Sequence, residues 1–162
     1  MPRKVARLGL ILFVFGISLG IVALLRGSSS YIATRFFNVP PRDWQTSREV
    51  LWPPRDVRLK VEADVEISIY VLDEAGMVSW RGTGDIKPTF SVENARHGIY
   101  ACDLHKRGVY TIVVHNPSSS KANVRIDVTL YGLEEDIIWA SASLALLGVL
   151  IVLAQIRSRK KI

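Results

Sequence analysis

Two unbroken apolar runs, one near each end of the chain, constrain what this sequence can fold into. Residues 8–25 and 137–156 contain no Asp, Glu, Lys, Arg or His. As helices they reach about 27 and 30 Å, which matches a hydrocarbon core about 30 Å thick. A chain of 162 residues has too little other mass to bury two such helices in a water-soluble core. The expected organisation is therefore two transmembrane helices with one domain between them.

Charge placement gives the expected orientation. Arg3, Lys4 and Arg7 precede the first run, and Arg157, Arg159, Lys160 and Lys161 follow the second. Neither flank carries an acid, whereas the intervening residues hold 15 acids against 14 Lys/Arg. Basic flanks stay on the cytoplasmic side, so both termini are expected inside and the central domain outside. The formal charge of +6 thus comes from the anchors. It does not point to nucleic acid. A cleaved signal peptide has a shorter apolar region and a small-residue site after it. Here Arg26 follows the apolar run directly, so an uncleaved anchor is expected.

The reading in chain order is a basic tail over 1–7, a membrane helix over 8–25 and a juxtamembrane segment over 26–56. A β-rich domain follows over 57–133, then a second helix over 137–156 and a basic tail over 157–162. In the helices, Gly16 and Gly20 on the first and Ser141, Ala145 and Gly148 on the second form small-residue faces. Such faces permit close backbone approach, either between the two helices or to another subunit. In the juxtamembrane segment, Ser28, Ser29 and Ser30 could cap a short helix through Tyr31, Ile32, Phe36 and Phe37. Pro40-Pro41-Arg42-Asp43 then recurs as Pro53-Pro54-Arg55-Asp56, with Trp44 and Trp52 between. The repeat reads as a stiff linker or as an aromatic docking segment.

Residues 57–133 show the period of two that marks a half-buried sheet. Val57, Leu59 and Val61 alternate with polar residues, as do Val65, Ile67, Ile69 and Val71, and later Val124, Ile126, Val128 and Leu130. Asp73–Gly76 and Gly82–Asp85 read as turns either side of a short strand at Met77–Trp80. The expectation is an all-β sandwich of seven or eight short antiparallel strands, with no helix inside it. Only three acids, Glu134, Glu135 and Asp136, separate Leu133 from the second apolar run, which leaves no room for a stalk.

The stretch from Phe90 to Gly132 resembles the GOLD domain of the p24 cargo-receptor family. The matching residues are Gly108-Val109-Tyr110, the alternation through Ile112 and Val114, Asn116, and the strand from Val124 to Leu130 closing on Gly132. With the Val65–Val71 strand and the Asp73–Gly76 turn, the resemblance covers about 75 residues. It implies a jelly-roll-like, protein-binding sandwich outside the cytosol, followed by a membrane helix and a short basic tail. The chain departs from that family in its N-terminal span and in having no coiled-coil segment before the last helix. Cys102 stands alone where the family has paired cysteines, and the tail ends Lys160-Lys161-Ile162, one residue off the dilysine pattern.

No constellation for chemistry emerges. His97, His105 and His115 fall at turns or strand ends without metal-ligand spacing. Cys102 and Asp103 point to opposite faces of one strand, so the thiol lacks an adjacent base. No phosphate loop or dinucleotide fingerprint occurs. No enzyme, cofactor or metal is expected. The leading expectation is an accessory or scaffold subunit of a larger membrane complex, in contact with lipid and with other integral membrane subunits. The alternative is a freestanding receptor or adaptor whose sandwich binds a protein, glycan or small solute. Phe36, Phe37, Trp44, Trp52, Trp80, Arg81 and Arg96 are the candidate partner-binding residues.

Overall fold

The computed structural model describes residues 2–47 and 50–159, which form two compact units. The first comprises the terminal segments and the second runs from Ser30 to Tyr131.

The terminal unit is a pair of helices, α1 (Pro2–Gly27) and α3 (Glu135–Arg159). Each includes 24 residues long and apolar enough to cross a membrane, with mean hydropathy of 2.8 and 2.5. Only 17% and 11% of these segments are buried, unlike the core helices of a soluble protein. The helices pack antiparallel through small residues. A Cβ at Gly16 would lie 2.6 Å from the Ala145 backbone N and 2.8 Å from the Ser141 carbonyl oxygen. A Cβ at Gly148 would lie 2.5 Å from the Phe13 N and 2.6 Å from the Gly9 carbonyl oxygen. Gly20 faces the Ser141 hydroxyl. Two backbones can approach this closely only where side chains are absent, which compensates for the lack of a hydrophobic driving force in lipid. Beyond the apolar run, the buried Glu134 carboxylate meets Arg26 at 3.2 Å, tying the end of α1 to the start of α3.

The second unit contains β1 (Tyr31–Val39), β2 (Trp44–Thr46), β3 (Val50–Trp52) and β4 (Asp56–Leu72). These are followed by α2 (Glu74–Thr83), β5 (Phe90–Asp103), β6 (Gly108–His115) and β7 (Ala122–Tyr131). The strands make one seven-stranded antiparallel sheet ordered β1-β7-β4-β6-β2, with β3 also on β6 and β5 on the other edge of β4. β4 pairs first with β7, up to Ala63–Val124, and then with β6 from Ser68–His115 onward. Its register with β5 shifts between Glu62 and Ile67, where the ribbon bends. The sheet thereby folds into two halves and nearly closes as a barrel around one core. Leu59, Ile67, Ile69, Ile112 and Ile126 are fully buried there. A second shift, between Ile67 and Ile69, leaves an extra residue on β5 beside Asn94. Asn94 has φ +55°, a conformation that asparagine tolerates better than most residues.

Three expectations are corrected. The all-β sandwich is a mixed α/β fold, because Met77–Trp80 lies in α2 and is not a strand. The turn residues either side are the caps of that helix. Asp73 Oδ1 accepts from the Gly76 N–H at 2.8 Å, and Gly84, at φ +75°, donates its N–H to the Trp80 carbonyl at 2.9 Å. The helix expected through Tyr31–Phe37 is β1, held along its whole length by β7. Ser28 and Ser29 do not cap a new helix, because their hydroxyls donate back to the Leu25 and Arg26 carbonyls at the end of α1. The stretch read as a juxtamembrane linker thus supplies β1, β2 and β3 to the sheet. Both Pro-Pro-Arg-Asp copies are connections between strands, the first from β1 to β2 and the second from β3 to β4.

Asn116 fastens the first of these connections. Its buried amide donates to the carbonyls of Val39 (3.2 Å), Pro40 (3.0 Å) and Ser120 (2.7 Å). Its Oδ1 accepts from the Ser118 N–H and hydroxyl. Asn116→Ala removes the buried amide that bonds the Val39, Pro40 and Ser120 carbonyls and is expected to cost about 3 kcal/mol, read by urea unfolding of the solubilised protein. Ser119→Ala in the same loop is the control, expected to shift stability by under about 0.5 kcal/mol. In the helix pair, Gly16→Leu forces a side chain into backbone and is expected to cost at least about 2 kcal/mol in SDS unfolding. Val14→Leu, on the exposed side of α1, is expected to change little.

Candidate functional site

The two halves of the sheet differ on their outer faces. α2 covers the β6 half. Met77 packs with Leu72 and Val113, and Trp80 joins Trp44 and Tyr70 around them. Trp44 stacks on His115 with ring centroids 4.0 Å apart and lies 5.8 Å from Trp80. Among the described residues, no element of its own unit lies over the β1-β7-β4-β5 half, and its outward side chains form rows across the strands.

One row runs Phe36–Arg125–Glu62–His97, and the neighbouring row begins with Asn38 and Asn123 and continues to Asp64. Together with Gln45 from β2 these residues line an open groove of about 600 Å³. Most of its polar side chains are held in place. Asp64 accepts from the Asn123 N–H (2.9 Å) and Nδ2 (2.7 Å). Gln45 Oε1 accepts from the Asn38 N–H at 2.8 Å. Glu62 pairs with Lys60 at 2.7 Å, and Arg125 grips Asp127 through Nε and Nη2, at 3.2 and 3.1 Å. Thr34 donates its hydroxyl proton to Asp127 at 2.7 Å.

These contacts hold three carboxyls below their ordinary range. For Asp64 the cause is the two Asn123 hydrogen bonds, for Glu62 the Lys60 ammonium, and for Asp127 first the Thr34 hydroxyl and then Arg125. Their charged forms are favoured by folding, so this contribution is present at neutral pH and is lost as pH falls through the carboxylate range. The groove lining includes no serine, threonine, cysteine or lysine, and its carboxylates are already engaged. Such a surface is equipped to bind and lacks a poised nucleophile. Among the described residues, no three metal-ligating side chains gather.

The expected partner-binding residues do not converge. Phe37 and Trp52 are buried in the core, Trp52 stacked on Tyr110, because their strand positions point inward. Neither is free to dock anything. Trp44 and Trp80 belong to the aromatic cluster under α2. Arg81 lines a small cleft of about 160 Å³ beside α2, and Arg96 is exposed on β5. Phe36 is exposed on the open face, at 75%. Across the helix pair, Gly16 meets Ser141 and Ala145, Gly20 meets Ser141, and Gly148 meets Gly9 and Phe13. Sequence reasoning missed Asn38, Gln45, Glu62, Asp64, Asn123 and Arg125 as a group. Each reads as an ordinary outward residue, and only the strand register gathers them.

No family model matches the chain, and no curated protein matches it. Solved structures give distant matches. The crystal structure of PirA is 16% identical, with TM-score 0.42, over 60% of this chain and 93% of that one. The mitogen from Yersinia pseudotuberculosis is 11% identical, with TM-score 0.44, over 64% and 88%. The pre-peptidase C-terminal domain of collagenase from Bacillus anthracis is 14% identical, with TM-score 0.43, over 59% and 87%. None is specific to the GOLD domain, and at these scores none bears on what this chain does.

Cys102 sits half-buried against the core on β5. Burial, aided by the Asp103 and Asp56 carboxylates, pushes its thiol from 9.0 up to about 11. At pH 8 its thiolate fraction should be about 100-fold below that of an unperturbed thiol. Iodoacetamide labelling of the folded protein is expected to be slower by at least that factor and to accelerate up to about pH 11. Labelling at the rate of a free cysteine would show the thiol to be activated.

Proposed function

We propose that this protein is a non-catalytic accessory or scaffold subunit of a larger membrane complex. Both termini lie in the cytoplasm, and the β domain stands outside, docked on a partner. In its finer form the bent sheet is a jelly-roll or GOLD-like sandwich that binds protein. The basic flanks of two membrane-length helices support the placement.

The observation that carries the docking role is the uncovered face of the β1-β7-β4-β5 half. Ile32 and Ile99 are each 63% exposed on it, among Thr34, Lys60 and Asp127, while the other outer face is sealed by α2. Apolar anchors spaced among polar groups suit a protein interface better than bulk water. Only three residues join α1 to β1 and three join β7 to α3. The small-residue faces of the helices are already engaged with each other, which leaves this sheet face as the specific surface.

Gentle solubilisation from the native membrane, followed by native mass spectrometry, tests the reading. The wild-type chain should carry a fixed-stoichiometry membrane partner, and Ile32→Asp with Ile99→Asp should reduce that complex by about ten-fold or more without changing the melting temperature. A wild-type chain that emerges alone, or a partner fully retained by the double variant, would refute it.

A further inference from the structure

We propose that the groove bounded by Phe36, Gln45, His97 and Asn123 is a saccharide-binding site. The groove would hold its ligand with or without a protein partner on the rest of the face.

Three observations select this ligand class. The first is shape. An open groove of about 600 Å³ falls in the range of small-ligand sites and admits a ring from one side. The second is the aromatic platform. The Phe36 ring projects from β1 beside Arg125, exposed to 75% on a strand whose neighbouring Phe37 is buried. The electron-rich face of such a ring attracts the weakly positive C–H face of a pyranose.

The third is the pattern of unused polar groups. Among the described residues, the His97 ring makes no hydrogen bond and neither does the Asn38 side-chain amide. Gln45 uses only Oε1, which leaves Nε2, and Asn123 uses only Nδ2, which leaves Oδ1. A sugar hydroxyl both donates and accepts, so it needs donors and acceptors side by side, as here. The charges of the groove are largely cancelled, Glu62 by Lys60 and Arg125 by Asp127, with Asp64 engaged by Asn123. A phosphate or acidic chain would need surplus cations, which the groove lacks. An acyl chain would need a continuous apolar wall, which the amides interrupt.

The test uses the full chain in lipid nanodiscs, because the headgroups of alkyl-glycoside detergents would compete. Saturation-transfer NMR is recorded with soluble hexasaccharides of glucose, mannose and N-acetylglucosamine. Transfer to the ring protons of at least one is expected. Phe36→Ala and Gln45→Ala should each weaken that binding by about ten-fold or more with unchanged melting. Leu51→Ala, an exposed apolar change on β3 away from the groove, should leave it intact. No transfer to any of the three sugars from folded protein would overturn the proposal. So would transfer that survives Phe36→Ala undiminished.

Discussion

Every strand of the sheet depends on the backbone hydrogen bonds of β4. It is 17 residues long, and one of its edges is shared in succession by β7 and β6 while the other is followed by β5. β1, β2 and β3 reach the sheet only through β7 and β6. A strand that changes partner midway must bend, and bending turns its two inward-facing stretches toward each other. Val57, Leu59 and Val61 on one side of the bend and Ile67, Ile69 and Val71 on the other therefore enter a single core. A flat sheet with the same alternation would leave that apolar face wet.

The bend also decides where polar groups can gather. At the turning point β4 parts from β5, and Glu62 and Asp64 project outward next to the ends of β1 and β7. The groove forms at this position, and ion pairs and amide contacts fix Gln45, Glu62, Asp64, Asn123 and Arg125 ahead of any ligand. The aromatic cluster under α2 has the opposite character. There Trp44, Tyr70, Trp80 and His115 face one another and are consumed by the fold. Outward aromatics on the β6 half are covered by α2, whereas Phe36 on the other half stays exposed.

The helix pair is long and apolar enough to cross a membrane, where a different solvent sets the rules. In lipid, apolar side chains gain nothing by leaving their surroundings, so association relies on close packing. Gly9, Gly16 and Gly148 supply it, and the contacts of Gly16 with Ser141 and Ala145 and of Gly9 with Gly148 engage the faces through which another subunit could otherwise have approached. Glu134 and Arg26 complete the pair where the chain leaves the apolar region.

Solvent preference is a property of composition, so the two membrane-length helices, the basic flanks and the alternating strands were legible in the sequence alone. The same holds for the inward direction of Cys102 and for the small-residue stripe on each helix. The caps of α2 were also visible as residues, but Asp73 and Gly84 specify turns and helix ends equally well, and a ten-residue helix has little periodicity of its own. Only the tertiary structure decided that 31–39 would be a strand, that Phe37 and Trp52 would be core while Phe36 stays exposed, and that six scattered polar residues would line one groove. The reason is that these outcomes depend on pairing between segments up to about a hundred residues apart, as between β1 and β7, and local pattern carries no record of which strand will lie beside which.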